Sequence, residues 1–151
     1  MSPATDYNRA LRRVSDADAF AYLLRAAKEG CVRSQFLVGL AYHIGRGVTV
    51  DYERAGAWYR KAACAAEGSA IANLGVMSLL GQGAPADDLE AYTWVRSAVG
   101  TGHDWLQPAL DWLEYRIAGR RAGDQPPVAP EVPALRPCTL PGCDPTRCTA
   151  A

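Results

Sequence analysis

Residues 39–63 read GLAYHIGRGVTVDYERAGAWYRKAA, and residues 75–99 read GVMSLLGQGAPADDLEAYTWVRSAV, which is a second copy of the same pattern. The copies lie 36 positions apart and share glycines, an aspartate, a tryptophan, an arginine and alanines. The identical pairs are Gly39/Gly75, Gly45/Gly81, Gly47/Gly83, Asp51/Asp87, Ala55/Ala91, Trp58/Trp94, Arg60/Arg96 and Ala62/Ala98. A fixed period of this size predicts stacked helical hairpins, because one hairpin cannot bury its apolar face alone.

Local signals divide the repeats into helices. Ser15, Asp51 and Asp87 each precede an apolar-periodic segment and are suited to cap a helix N-terminus. Gly45 and Gly81 follow such segments, and glycine ends a helix in the left-handed conformation without penalty. The predicted helices run from Ser15 to before Gly30, and then over 33–44, 51–65, 69–80, 87–99 and 105–118, with Pro108 in the first turn of the last.

The sequence predicts three segments. Residues 1–14 form an N-terminal extension with a short helical stretch at 7–13, and residues 15–118 form the repeat domain. Residues 119–151 contain seven of the ten prolines and scarcely any large apolar side chains. Such a composition cannot bury enough surface to offset the entropy of ordering, so this tail is predicted to be disordered. The fold class is an all-α, right-handed α-solenoid of antiparallel hairpins.

Charge and hydropathy exclude several classes of function. Sixteen basic residues balance sixteen acidic ones, so a nucleic-acid partner is not expected. No apolar run approaches the roughly 20 residues that span a bilayer, so membrane insertion is not expected either. Residues 1–14 are polar and lack the apolar core of a secretory signal. A cytoplasmic location follows as an expectation.

The cysteines leave several alternatives open. Cys31 and Cys64 lie in the repeats, where cysteine commonly serves as a small buried hydrophobe. Cys138, Cys143 and Cys148 are spaced five residues apart in the tail. They could bind a metal or form disulfides, but Cys-x-x-Cys pairs and a fourth ligand are missing, and free thiols are favoured.

No catalytic, cofactor or metal site is predicted. His43 and His103 are the only histidines, and neither has a nucleophile and an acid at a recognisable catalytic spacing. Gly45-Arg46-Gly47 and Gly81-Gln82-Gly83 resemble phosphate-binding turns, but they follow helices and lack a lysine-serine pair. Their interpretation as helix ends is favoured.

The residues that carry the period also carry a family resemblance. Ala70-x-x-Asn73-Leu74-Gly75, Gly81-x-Gly83, Asp87, Ala91-x-x-Trp94 and Ala98 resemble the Sel-1-like repeat, a relative of the tetratricopeptide repeat. Residues 58–63 (WYRKAA) are similar to the second-helix signature of that family. The resemblance covers about 15–118. It implies an α-solenoid scaffold or adaptor for other proteins, often bacterial, without catalysis.

Packing expectations follow from residue size. Gly39 and Gly75 should allow a neighbouring helix to approach closely, and Trp58 and Trp94 should fill the space between hairpins. In the last helix Asp111 stands at the position of those glycines, and Glu114 is also polar. A polar outer face is what a terminal repeat requires, so the array is expected to end near residue 118.

If the resemblance holds, the first helix of each hairpin lines a concave groove. The predicted groove residues are Phe36, Leu40, His43, Asn73, Val76, Leu79, Trp112 and Tyr115. Asn73 could hydrogen-bond a bound backbone, and Trp112 and Tyr115 could anchor a partner. In the alternative, several of these side chains pack inward and the groove is shallow.

Two functions remain open. The first is an adaptor that binds a peptide or a partner protein in the groove, with the tail folding back over it as a competing self-contact. The second is a binder, or weak hydrolase, of a small ligand or cell-wall fragment. An apolar groove favours the first, whereas convergent charged or histidine side chains favour the second.

Overall fold

The structure, a computed structural model, describes residues 15–118 and Ala129. Within these residues the chain forms six α-helices and no strand. In chain order they are α1 (Asp16–Lys28), α2 (Val32–Ile44), α3 (Tyr52–Cys64), α4 (Gly68–Leu80), α5 (Asp88–Gly100) and α6 (Gln107–Ala118), with a 3-10 turn at Asp104–Leu106 before α6. The predicted helix at 7–13 and the predicted disordered tail, apart from Ala129, lie outside the described residues.

The helices form two interleaved series that keep the 36-residue period. The series B helices α1, α3 and α5 begin at residues 16, 52 and 88. The series A helices α2 and α4 begin at 32 and 68, and the 3-10 turn that leads into α6 begins at 104. Helices that are consecutive in the chain pack together from α1 to α6. The all-α solenoid predicted from the period is confirmed.

The caps of the series B helices are those that the sequence predicts. The Ser15 side chain accepts a hydrogen bond from the Asp18 backbone N–H at 3.1 Å, and Asp51 accepts one from Arg54 at 2.9 Å. Asp87 accepts from the backbone N–H groups of Leu89 and Glu90 at 2.8 and 2.9 Å. Each bond satisfies a backbone donor that the first helical turn leaves unpaired.

Each Gly-x-Gly turn both ends a series A helix and contacts the preceding repeat. Gly45 and Gly81 are left-handed, with φ of 74° and 67°, and close α2 and α4. The second glycines approach the start of an earlier series B helix: a Cβ on Gly47 would collide with the Asp16 carbonyl, and one on Gly83 would lie 3.0 Å from the Tyr52 carbonyl. The turns therefore fix the spacing between repeats, which explains why both glycines recur.

The core is built around the glycines of the series A helices. A Cβ on Gly39 would lie 2.7 Å from Tyr59 Cδ1, and one on Gly75 would lie 2.9 Å from Val95 Cγ2. The expected close helix approach is thus confirmed at both positions. Tyr59 and Val95 are completely buried. Burial of such side chains is the main stabilising contribution to the array.

The tryptophans take a smaller part in the core than the sequence suggests. Trp58 and Trp94 are only partly buried. Trp58 packs against the first core cluster, and Trp94 packs against both clusters and so links neighbouring repeats. Their positions between hairpins agree with the prediction, but the fully buried side chain is the next one along each helix.

The last helix presents a polar outer face. Asp111 and Glu114 are exposed on α6, whereas Leu110 and Leu113 are buried against α5 and the 3-10 turn. Pro108 is the second residue of α6, where its missing N–H breaks no helical hydrogen bond. The expected polar outer face is confirmed.

Candidate partner-binding surface

Four of the eight predicted groove residues are buried. Phe36, Asn73, Val76 and His43 are at most 7% exposed. Phe36 faces the Tyr59 ring, with 5.8 Å between their centroids, and Val76 belongs to the second core cluster. A side chain without accessible surface cannot contact a partner on a folded array. The inward-packing alternative therefore applies to these four residues, and the groove is shallower than eight open side chains would make it.

The other four remain accessible on the series A helices. Leu40, Leu79, Trp112 and Tyr115 are half-buried. Leu40 and Trp112 occupy equivalent positions on α2 and α6, two periods apart, whereas the equivalent residue on α4, Val76, is buried. Together with Ile44 and Leu80, described next, these four residues define what we call the series A face.

Ile44 and Leu80 are exposed apolar residues that the prediction missed. They are the last residues of α2 and α4, lie 36 positions apart, and are 51% and 53% exposed. In the sequence, the observation that could have identified them is that both are apolar and immediately precede a helix-ending glycine. The hydrophobic periodicity suggested burial instead, because periodicity does not show where a helix emerges from its neighbours.

A cation–π contact and an ion pair order one end of the series A face. The Arg116 guanidinium lies 4.5 Å from the Trp112 ring centroid. The same group pairs with Asp88 at the start of α5, with 2.9 Å between Arg116 Nε and Asp88 Oδ2. Trp112 is therefore held on one side by a charged group that is itself fixed. An aromatic side chain restrained in this way is suited to anchor a partner.

Four polar side chains on or beside α2, α3 and α4 form a second group, which we call the polar junction: the buried His43 on α2, Tyr59 on α3 and Asn73 on α4, and the partly buried Gln82 in the turn after α4. His43 Nδ1, the Tyr59 hydroxyl, Asn73 Nδ2 and Gln82 Oε1 are buried atoms that meet no strict hydrogen-bond geometry, but the Gln82 side chain is within hydrogen-bonding reach of His43 and the Asn73 side chain is within reach of Tyr59. The His43 ring contacts two tyrosine rings, with centroid distances of 5.3 Å to Tyr52 and 6.1 Å to Tyr59.

Burial shifts the ionisation of this cluster toward neutral forms. It lowers the pKa of His43 below its ordinary value, and the nearby Gln82 side chain opposes the shift. Burial also raises the pKa of Tyr59, and the Asn73 side chain opposes that shift. No charged side chain contributes to either shift. Near pH 7 the polar junction is therefore a set of neutral dipoles.

The remaining sequence candidates for chemistry are the histidines, possible metal ligands and the Gly-x-Gly turns. They contain no group of three or more histidine, cysteine, aspartate or glutamate side chains placed to hold a metal. His103 is buried, and its Nδ1 lies 3.3 Å from the Thr101 hydroxyl. No helix in the described part is long and apolar enough to cross a membrane. The Gly-x-Gly turns are helix ends, as predicted.

The two repeat cysteines differ in oxidation state. Cys31, immediately before α2, is disulfide-bonded, and the Ser34 hydroxyl donates to its Sγ at 3.2 Å. Cys64, the last residue of α3, is free and exposed. The expectation that both are small buried hydrophobes is wrong, since Cys31 is only partly buried. Cys138, Cys143 and Cys148 lie outside the described residues.

Two alternating series of helices of 12 or 13 residues, the Gly-x-Gly helix ends and the interlocked repeats define a helical-repeat protein. The Sel1 repeat model matches residues 5–31, 32–66 and 68–99, which is more than half of the chain. The chain belongs to the Sel1 repeat family. The first matched copy begins inside the segment predicted as an N-terminal extension, and α6 follows the last copy.

One curated relative is a plant protein. Over 63 residues, or 42% of this chain, the sequence is 40% identical to the ERAD-associated E3 ubiquitin-protein ligase component HRD3A of Arabidopsis thaliana. The match spans 9% of that protein. The similarity therefore concerns a short stretch of repeats within a much longer chain.

Two solved structures share the fold. The Sel1 repeat protein from Oxalobacter formigenes superposes with a TM-score of 0.63 and 30% identity, over 69% of this chain and 42% of that one. The c5321 protein, a protective antigen present in uropathogenic Escherichia coli strains that displays an SLR fold, superposes with a TM-score of 0.65 and 29% identity, over 68% and 22% of the two chains. This chain thus spans less than half the length of each.

Proposed function

We propose that the chain is a non-catalytic adaptor that binds a peptide or a partner protein through the series A face. Sel1-repeat proteins generally mediate protein–protein interaction. The observation that carries the specific proposal is the set of accessible apolar side chains on the series A helices: Leu40 and Ile44 on α2, Leu79 and Leu80 on α4, and Trp112 and Tyr115 on α6. Accessible apolar side chains on each of the three series A helices mark a surface suited to an extended partner.

The character of the series A face supports a protein partner over a small ligand. Its accessible members are aliphatic or aromatic, and the charged group beside Trp112, Arg116, is already paired with Asp88. A hydrolase of cell-wall fragments would need a nucleophile or a base beside an acid. His43 is instead buried among tyrosines and Gln82. A bacterial source is part of the proposal, and it rests on the two bacterial structural relatives.

Site-specific photo-crosslinking tests the binding surface before any partner is known. A benzoyl-phenylalanine at Leu80, on the series A face, should crosslink a defined partner in the native cell. The matched control places the same group at Leu89, which is 64% exposed but lies on series B helix α5. Capture at both positions or at Leu89 alone would contradict the proposed surface.

The cellular compartment is also a proposal. A cytoplasmic location is the sequence-based expectation. The bonded state of Cys31 favours an oxidising compartment instead, since structural disulfides are rare in the cytosol. Fractionation of the native cell, with the thiols blocked at lysis, distinguishes the two locations.

A further inference from the structure

The disulfide bond of Cys31 leads out of the described repeats. Residues 15–118 contain two cysteines, of which Cys31 is bonded and Cys64 is free. The partner of Cys31 is therefore a cysteine outside the described residues. The C-terminal segment of the same chain contains three cysteines: Cys138, Cys143 and Cys148.

The stretch that leads from α6 to these cysteines has the pattern of a polyproline II helix. Pro127, Pro130 and Pro133 recur at every third residue. Polyproline II has three residues per turn, so the three proline rings share one edge. Residues 126–135 contain a single charged residue. Ala129, the residue of this stretch that the structure describes, is exposed and belongs to no helix or strand, as a position between the prolines of a docked polyproline II segment requires.

The series A face suits such a segment. Polyproline II segments bind apolar grooves lined by aromatic side chains, because they lose little conformational freedom on binding. Trp112 and Tyr115 are half-buried and lie three residues apart on α6, so they are neighbours on the helix surface. The charge beside the Trp112 ring, on Arg116, is already paired with Asp88. A nearly uncharged segment therefore meets an apolar and aromatic surface.

The accessible side chains of α2 lead back toward Cys31. Leu37 and Leu40 are half-buried apolar residues one turn apart, and Cys31 immediately precedes the first turn of the same helix. Consecutive helices pack from α2 to α6, which places α6 at most about 40 Å from α2, and the length of one helix adds about 20 Å along the axis. Residues 119–137 span about 60 Å as polyproline II, which is enough to cross the array.

We propose that residues 126–137 lie across the series A face as a polyproline II segment, held there by a disulfide bond between Cys31 and a cysteine of the C-terminal segment. The inference rests on the proposed function, because it assigns an occupant to the same face. The bond keeps the segment at a high effective concentration beside that face, so an incoming partner has to displace it.

Photo-crosslinking within the purified, unreduced full chain tests where the segment lies. A benzoyl-phenylalanine at Leu80 should crosslink to residues 126–137, as identified by mass spectrometry after digestion. The yield should not change on dilution, because the contact is intramolecular. The matched control places the same group at Leu89, which is 64% exposed on series B helix α5 and should give no such product.

Two variants of the segment connect the crosslink to the three-residue period. The first replaces the prolines of the period: Pro127→Ala, Pro130→Ala and Pro133→Ala. The second replaces three prolines outside the period: Pro126→Ala, Pro141→Ala and Pro145→Ala. All six prolines follow α6, so both variants keep the sequence of the array. The first should lower the crosslink yield at Leu80 at least about threefold, and the second should leave it near that of the parent.

Peptide mapping of the same unreduced protein should find Cys31 joined to a cysteine of the C-terminal segment of the same chain. The inference is overturned if Leu80 gives no product with residues 126–137, if both variants lower the yield equally, or if Cys31 is bonded only to a second copy of the chain. Because the purified chain contains no partner, each of these failures leaves the docking of an external partner on the series A face standing.

Discussion

Tyr59 lies so close to Gly39 that any side chain at residue 39 would meet its ring, with 2.7 Å between an added Cβ and Tyr59 Cδ1. The equivalent pair one period later is Gly75 and Val95, at 2.9 Å. At this contact the glycine is therefore the same in both repeats, whereas the larger residue that it faces differs. This relationship explains why the glycines, rather than their buried neighbours, carry the 36-residue pattern.

Gly39→Ala should lower the free energy of unfolding by about 1–3 kcal/mol, because the new methyl group forces α2 away from α3. The control is Gly100→Ala at the end of α5, where an added Cβ meets nothing within 4 Å. That change should be neutral or stabilise by up to about 1 kcal/mol through helix propensity. Urea unfolding measures both, and equal effects would contradict the packing account.

Gly47→Ala tests the link between repeats. Its φ of 74° disfavours alanine, and the added Cβ would also collide with the Asp16 backbone. Gly102→Ala shares the positive φ, at 95°, but its Cβ meets nothing within 4 Å. Thermal unfolding should show that Gly47→Ala lowers the free energy of unfolding by about 1–3 kcal/mol more than Gly102→Ala does. A loss at Gly102 as large as that at Gly47 would show that the inter-repeat contact contributes nothing.

His43 should make the stability of the array depend on pH. Its pKa in the fold is below the ordinary 6.5, so the unfolded chain binds more protons between these two values. Stability from neutral His43 is thus present above about pH 6.5, falls as the pH drops through that value, and levels off below the folded pKa. His43→Leu should remove this component. Urea unfolding of the parent and of His43→Leu between pH 7.5 and about pH 5 gives the difference in their unfolding free energies at each pH. A difference that does not change with pH would contradict the prediction.

Cys31 and Cys64 should differ in their reactivity toward alkylating reagents. Cys31 is disulfide-bonded, whereas Cys64 is free and exposed. Peptide mapping without reductant, after alkylation of free thiols, should label Cys64 and leave Cys31 unlabelled. Alkylated Cys31 in unreduced protein would contradict the assignment.

Much of the fold could be predicted because its signals are local. Ser15, Asp51 and Asp87 cap helices through side chains two or three residues away from the groups they bind, and Gly45 and Gly81 end helices by their own backbone preference. Such features require no knowledge of distant contacts. The repeat period then places the same helix-capping and helix-ending residues in each copy.

The accessible apolar side chains were harder to predict because burial is a tertiary property. Phe36 and Leu40 are both apolar and lie on the same helix, but Phe36 meets Tyr59 whereas Leu40 remains accessible. Trp58 and Trp94 are identical in the two repeats, although Tyr59 and Val95 next to them are the buried residues. Sequence identity between repeats shows which positions are constrained, but it does not show which direction a side chain faces.

Truncation after residue 118 tests the self-contact proposed for the C-terminal segment. If that segment competes for the series A face, the shortened protein should bind the partner identified by photo-crosslinking more tightly than the full chain does. Isothermal titration calorimetry of both forms, each fully reduced so that Cys31 does not confound the comparison, measures the change. Equal or weaker binding by the shortened form would contradict competition.

The central claim is that the series A face binds a partner. Its most direct test is the affinity of the partner identified by photo-crosslinking for a Leu40→Ala, Leu80→Ala, Trp112→Ala triple variant. All three side chains are accessible on the series A face, so their loss should leave the helical circular dichroism unchanged. The matched control replaces Tyr22 and Leu89, which are exposed on series B helices. We expect the triple variant to bind at least about 30-fold more weakly, equivalent to about 2 kcal/mol, and the control to bind like the parent. A folded triple variant that binds the partner as tightly as the parent would show that the series A face is not the binding surface.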